Sequence, residues 1–376
     1  MEIQIKQLIL ENFRNFASKN LIFDKKLIMI CGNNGIGKTN ILEALTMVGR
    51  NHSLRQDDVE DMLRIDNQTQ NKNQQFSIFC QIEKHDNIDS IAINYNNITR
   101  KKTIYINKEN ITNRNKENKN NLINFICLTP ELELLFISQK SNRRDFLDKI
   151  VCDIDIFHSK RINDYQKLIK ERLLLLSKNN KNNDKWLEII ENKISEVGVS
   201  IAIARVDAVE FFNKAIYSFS SKFPKSELKI IGEIELQVKN MKAIEMEIYY
   251  KEQLVQNRLR DKESFKTNFG VHRSDFSAIF IDKNMDAHLC STGEQKSIML
   301  GVTLARARIS SQYRNQPTII ILDEIMSHLD DNKKTNLLNE IVESGLQCFF
   351  STTSPSLIPR NFHDNKRIGI IDLLKI

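Results

Sequence analysis

No stretch of this sequence approaches the roughly 20 consecutive apolar residues of a membrane-spanning helix. Its opening, Met1 to Phe16, interleaves Glu2, Lys6, Glu11 and Arg14 with apolar residues, which is not the pattern of a secretion signal. Six cysteines (Cys31, Cys80, Cys127, Cys152, Cys290, Cys348) lie scattered without a C-x-x-C pair, and the histidines show no ligand spacing. Neither a zinc site nor a disulfide framework is therefore expected. Also missing are a heptad run long enough for an extended coiled coil and a basic patch interleaved with aromatics for stacking single strands. These absences leave a soluble protein, expected to be cytoplasmic and to make no membrane contact.

The 376 residues carry 55 Lys and Arg against 48 Asp and Glu, a net charge of +7. That length suggests roughly two domains, and a mild basic excess permits a polyanionic partner without demanding one. Short apolar runs at Ile3–Leu10 and Lys26–Gly32 read as strands, and Thr39–Gly49 has helical spacing closed by glycine. Three further runs, Phe76–Ile82, Ser90–Tyr95 and Lys102–Lys108, read as short antiparallel strands. Ile156–Leu176 is helical. Beyond it Trp186, Ile190, Ile194, Val197, Ile201, Ala204, Ala208 and Phe212 recur at steps of three and four, the packing face of a helical hairpin.

Glu227–Lys239 reads as a strand, and Lys242–Lys262 as mainly helix. "PTIIILDEI" is the continuous apolar run of a strand buried in a parallel sheet. Three Asn/Lys-rich stretches, "NQTQNKNQQ", "NRNKENKNN" and "SKNNKNNDK", read as solvated loops or compositional bias and receive no function. The α/β character thus sits at both ends, around helices. The expected boundaries are 1–125 and 266–376 for a split α/β head, with a helical insertion at 126–265.

Chemistry concentrates in three places. "GNNGIGKT" (Gly32, Asn33, Asn34, Gly35, Ile36, Gly37, Lys38, Thr39) fits G-x-x-x-x-G-K-[ST] between a strand and a helix, with Asn40 next in line. Its backbone N–H groups and helix N-terminus suit phosphates. Lys38 would meet the β/γ charge, and Thr39 would hold Mg²⁺. "TIIILDE" places Asp323 to complete the magnesium shell and Glu324 to polarise a water, or simply two acids on a loop. Ser291-Thr292-Gly293-Glu294, taken alone, is a helix start with a capping box, Ser291 with Glu294. "SHLDD" could likewise be an ordinary cap for the following helix.

The order of these elements resembles the ATP-binding-cassette ATPases. In them ATP is sandwiched between two heads, and the signature helix of one faces the γ-phosphate bound by the other. Within that class "LILENFRNF", "GNNGIGKTNILEAL", "SNRRDFLDKIV" (Ser141–Val151), "GVHRSDF" (Gly270–Phe276), "STGEQKS" and "LDEIMSHLD" are similar to the RecF family of bacterial recombination mediators. The likeness runs from the first strand to about Thr353. It implies a P-loop NTPase head of ABC type with an inserted helical lid, binding ATP and Mg²⁺. Signature residues Ser291, Thr292, Gly293 and Gln295 would act in trans, with Asp330 in the D-loop and Glu131 at the Q-loop position. It further implies an ATP-dependent homodimer on gapped single- and double-stranded DNA, slow DNA-stimulated ATP hydrolysis, and work with RecO and RecR to load RecA.

Three departures stand out. Val271 and Ser274 replace a Pro and an Asp of the family's His-Arg block, and "FFSTTS" (Phe349–Ser354) replaces a Thr-Gly/Ala-Thr-like turn. No Gln is identifiable for the Q-loop. An ABC-type head serving a transporter or chromosome-organising complex stays open as an alternative. A small-molecule kinase lacks residues for its acceptor site. The runs Arg100-Lys101-Lys102, Arg143-Arg144 and Arg258/Arg260/Lys262 are candidates for DNA phosphate contact, with a solvated face as the plainer reading. His272 and Arg273 could equally be a structural pair.

Overall fold

The computed structural model describes residues 3–49, 54, 58–65, 73–84, 87–111, 123–177, 184–312, 317–362 and 367–375. The three Asn/Lys-rich stretches lie largely outside these residues. The chain divides into two compact units, Met1–Glu133 with Arg306–Ile376, and Leu134–Ala305.

The first unit holds two sheets. Strand β1 (Ile3–Phe13) turns Ile3 and Ile5 to the core, then Leu8 and Leu10, an odd step that a plain strand cannot make. A bulge between Ile5 and Gln7 absorbs the extra residue. Its neighbours are β2 (Phe16–Ile22), β4 (Gln75–Lys84), β5 (Asn87–Asn96), β6 (Lys101–Ile106) and β7 (Glu109–Asn110), in the antiparallel order β2-β1-β4-β5-β6-β7. The second sheet is parallel. It comprises β3 (Leu27–Cys31), β8 (Asn124–Leu128), β12 (Thr318–Leu322), β13 (Gln347–Thr352) and β14 (Ile368–Asp372), in the order β14-β3-β13-β12-β8.

Both β3 and β12 are buried at every residue, as strands covered on two faces must be. Helices α1 (Lys38–Met47), α2 (Pro130–Glu133) and α10 (Asp331–Ser344) belong to this unit. Leu10, Ile30, Leu42, Ile78, Ile321 and Phe349 share one core between both sheets and α1. Because β3, β12 and β13 run parallel, Gly32, Asp323 and Thr352 arrive at one edge of the sheet. Ligands of open α/β sheets gather at that carboxyl edge.

In the second unit α3 (Lys140–Ile154), α4 (His158–Ser177) and α5 (Asp184–Ser218) come first. The hairpin of α4 and α5 forms as the spacing predicts, with Ile190, Ile194, Ile201, Ala208 and Phe212 buried, whereas Trp186 is exposed. The strand expected over Glu227–Lys239 is a correction. Strand β9 (Ser226–Ile231) stops before Gly232, and α6 (Glu233–Gln237) follows. There Ile234 is buried, and Glu235 accepts from Arg205 at 3.0 Å and from Ser274 at 2.7 Å. Helices α7 (Ala243–Gln256) and α8 (Arg258–Ser264) lead to β10 (Asp275–Phe280), which pairs with β9 and β11 (Met285–Asp286). Helix α9 (Thr292–Gln312) crosses the boundary between the units, and its first residues count with the second.

Two buried arginines organise that unit. Arg205 grips Asp148 with two bonds of 2.9 and 3.0 Å, and Arg172 donates to Glu191 at 3.0 Å and Asp261 at 2.7 Å. Removing one partner from such a pair costs about 3–5 kcal/mol, since the other charge stays buried. The Arg-Arg-x-Phe-Leu-Asp element is spent on the same task. Arg143 pairs twice with Asp275 at 2.7 Å, and Arg144 donates to the Ser274 carbonyl at 3.0 Å. Arg143 and Arg144, candidates for DNA phosphate contact, thus already hold partners within the unit. Arg258 likewise pairs with Glu191, at 2.5 Å. The Arg100–Lys101–Lys102 run remains exposed.

His272 ends a directed chain of hydrogen bonds. Its Nε2 lies 2.8 Å from the Thr267 carbonyl, which only accepts, so Nε2 carries the proton and Nδ1 is free to accept. Tyr165 Oη then donates to Nδ1 at 2.7 Å, Tyr250 Oη donates to Tyr165 at 2.7 Å, and the Val271 N–H reaches Tyr250 at 3.2 Å. Gly270, at φ 132°, admits both rings, since a Cβ there would stand 2.2 Å from Tyr250 Oη. Burial first, then the Arg273 and Arg144 charges, push the imidazole from 6.5 down to about 4. The unfolded chain thus binds the extra proton first. Stability conferred by the neutral ring is complete above pH 6.5 and drains away towards pH 4, by on the order of 3 kcal/mol. Urea midpoints should fall over that window in the wild type and fall less in His272→Gln. Parallel profiles would refute the assignment.

Candidate functional site

The P-loop leaves β3 at Gly32 and enters α1 through Gly37, whose φ of 112° is closed to most side chains. A Cβ at Gly37 would also strike Asn15 at 2.6 Å and Phe16 at 2.7 Å, so the turn between β1 and β2 rests on the loop. Asn15 Nδ2 donates to the Ile36 carbonyl at 2.7 Å, and Asn40 Nδ2 donates to Asn15 Oδ1 at 2.8 Å. Arg14 secures that turn to α1 by two bonds of 2.8 Å to the buried carboxylate of Glu43. Sequence reasoning missed these partners. Inside "LILENFRNF" nothing marked Arg14 and Asn15 off from ordinary turn residues.

Helix α1 starts without a side-chain cap and without an acidic residue in its first turn. Its first N–H groups therefore present positive charge unopposed, which is what an anion needs. Lys38 is 3% exposed and folds its ammonium onto the loop, donating to Gly32 O at 2.9 Å, Asn33 O at 3.1 Å and Asn34 Oδ1 at 3.4 Å. Gly35 and Ile36 complete the turn.

From β12, Asp323 and Glu324 join this loop across 284 positions of sequence separation. Thr39 Oγ1 donates to Asp323, 3.1 Å from Oδ2 and 3.3 Å from Oδ1. Glu324 Oε1 lies 3.7 Å from Lys38 Nζ. Ser351 on β13 touches both acids: its hydroxyl is 2.6 Å from Asp323 Oδ1 and accepts from the Glu324 N–H at 2.8 Å. A hydroxyl and a carboxylate on adjoining positions are hard oxygen donors that fit a magnesium ion sharing its shell with phosphate and water. A phosphate cradle, a cation and a carboxylate thus converge.

The remaining candidates lie elsewhere. In the second unit, Ser291, just ahead of α9, and Thr292 and Gly293, its first two residues, are exposed, and a Cβ at Gly293 would touch nothing within 4 Å. The capping box is formed. Ser291 N–H and Oγ donate to Glu294 Oε2 at 2.9 and 2.8 Å, and the Glu294 N–H reaches back to Ser291 Oγ at 3.4 Å. The Lys283 ammonium, with the Ser291 amide and hydroxyl, holds the Glu294 carboxyl down at about 2. Gln295 is buried, and its amide donates to Cys290 O at 2.9 Å, so it braces its own loop rather than facing outward. Asp330 caps α10 by accepting from the Lys333 N–H at 2.8 Å. Glu131 is exposed in α2, just beyond the carboxyl end of β8.

Residues 4–370 match the family described as RecF/RecN/SMC N terminal domain. The DNA replication and repair protein RecF of Mesorhizobium japonicum is 31% identical over 360 residues, covering 95% of this chain and 93% of that protein. The RecF of Rickettsia bellii is 32% identical over 351 residues, with 93% and 94% covered. Among solved structures, one described as the recombination mediator protein RecF-ATPrS in the RecFOR pathway superposes with a TM-score of 0.82 at 24% identity, covering 95% of this chain and 94% of the other. An Smc head domain from Pyrococcus furiosus gives 0.53 at 17% identity, over 95% and 91%.

Proposed function

Because the chain belongs to the RecF/RecN/SMC N-terminal domain family, we propose that it is an ATP-dependent DNA-binding clamp of recombinational repair. One observation carries this reading. Lys38, Thr39, Asp323 and Glu324 meet at the open N-terminus of α1, on the carboxyl edge of the parallel sheet.

In this mechanism the loop Gly32–Gly37 wraps the phosphates with its N–H groups, and Lys38 exchanges its loop carbonyls for phosphate oxygens. Thr39 and Asp323 would hold a magnesium ion, which would supply positive charge to offset that of the phosphates. Glu324 orients the attacking water and takes its proton. Ser291, Thr292 and Gly293 of a second copy face the γ-phosphate, and Asp330 approaches across the same interface. The homodimer therefore closes only around ATP and opens after hydrolysis. It works on gapped DNA, with RecO, RecR and RecA as partners, and the net charge of +7 suits that polyanion. The named relatives, at 31–32% identity across nearly the whole chain, support this assignment.

Lys38→Met tests it directly. The methionine keeps the stem and removes the charge, so ATP affinity should drop by at least about tenfold and ATP-driven dimerisation should disappear. Sedimentation with and without ATP reads both species. An ATP-dependent dimer in the variant would reject the reading.

A further inference from the structure

We propose that Ser351 is a positioning residue for ATP hydrolysis, setting the orientation of Asp323 and Glu324 together. The inference rests on the nucleotide site above and goes beyond it, to a residue of the "FFSTTS" stretch that has so far been given no role.

Ser351 is fully buried in β13, in a row with Cys348, Phe349 and Phe350. Packing alone would be served by another apolar side chain, and a hydroxyl here needs partners to offset its burial. Its two partners are the two consecutive acids. The Glu324 N–H can only donate, so it gives its proton to Ser351 Oγ at 2.8 Å. The single Ser351 proton must then go to Asp323 Oδ1, at 2.6 Å. Direction is thereby fixed along the chain Glu324 N–H, Ser351 O–H, Asp323 Oδ1.

Two consequences follow for the site. With Oδ1 engaged, Asp323 cannot spin about its Cβ–Cγ bond, and Oδ2 stays turned to Thr39 at 3.1 Å. Meanwhile Glu324 sits at φ 56° and ψ 14°, a left-handed conformation that side chains other than glycine seldom adopt. The bond from its N–H to Ser351 holds that conformation, which keeps the Glu324 carboxylate beside Lys38. One neutral, buried hydroxyl thus orients both Asp323 and Glu324.

A purely structural serine and a positioning serine differ in what their loss changes. Ser351→Ala is expected to bind ATP within about threefold of the wild type, yet turn over about ten- to a hundredfold more slowly, because small displacements at a reacting centre cost that much. Mn²⁺ affinity, measured by its spin resonance in the presence of a non-hydrolysable ATP analogue, should weaken severalfold. Ser351→Thr, which retains the hydroxyl, should recover most of the turnover and the Mn²⁺ affinity. Thermal midpoints of the nucleotide-free proteins identify any loss due to misfolding. Wild-type turnover and Mn²⁺ affinity in Ser351→Ala, or an equal defect in a folded Ser351→Thr, would overturn the proposal. If the wild-type chain itself bound no ATP, the nucleotide site would fall and the proposal with it.

Discussion

Glu324→Gln should bind ATP as the wild type does while hydrolysis falls by about a hundredfold or more, the usual effect of losing a positioned general base. The substitution is nearly isosteric. It keeps the backbone N–H that Ser351 accepts at 2.8 Å, so the left-handed turn after β12 survives. It also removes the negative charge 3.7 Å from Lys38, which leaves that ammonium more available to phosphate. In the proposed mechanism binding falls to Lys38, Thr39 and Asp323, all untouched. The outcome expected is an ATP-bound dimer held on gapped DNA, accumulating because its exit is blocked. Phosphate release and sedimentation on labelled DNA measure the two halves separately. Wild-type hydrolysis in Glu324→Gln would end the assignment of Glu324 as the base.

Much of this site was legible because its residues sit at fixed spacing on elements with strong patterns. "KLIMICG" and "TIIILDE" are uninterrupted apolar runs, so each reads as a buried strand with the chemistry at its end. Lys38 and Thr39 follow from the loop itself. The elements that escaped have weaker signals. Strand β2 buries only Leu21 fully, as an edge strand does, and its sequence FASKNLI shows no alternation to read. The bulge in β1 hid the strand's length from simple periodicity. Gly232 divided an apolar run that looked continuous, because a helical turn of EIELQ and a strand share the same residue types.

Ser351 lies within "FFSTTS" and Asn15 within "LILENFRNF", but their roles were hidden for another reason. Each acts through partners distant in sequence, by 28 positions to Asp323 and 21 to Ile36, and no local pattern marks such a residue. Arg143 and Arg144 show the converse. A run of like charges reads as surface, yet here Asp275 and the Ser274 carbonyl receive them. Charge pairing across a fold is a tertiary fact, and sequence shows only one side of it.

The remaining prediction separates a helix cap from a nucleotide contact at Ser291. The reciprocal bonds with Glu294 establish the cap, and the cap alone would account for the residue. Asn, Asp and Ser cap about equally well. Ser291→Asn should therefore leave folding and ATP binding alone, its amide donating to Glu294 where the hydroxyl did. Ser291→Asp sets a carboxylate against Glu294, whose own carboxyl is ionised above about pH 2, so the box loosens while Lys283 still screens it. A modest drop in thermal midpoint is expected from that repulsion.

The decisive effect should be elsewhere. An anion at this exposed turn would meet the γ-phosphate held by the other copy, and ATP-dependent dimerisation should vanish. Nucleotide affinity of the single head should stay at the wild-type level, since Lys38 and Thr39 in the same chain are unaltered. Sedimentation with ATP at matched folded fraction is the measurement, with Ser291→Asn as the neutral control. A wild-type dimer in Ser291→Asp would leave Ser291 as a cap and remove the two-copy site from the mechanism.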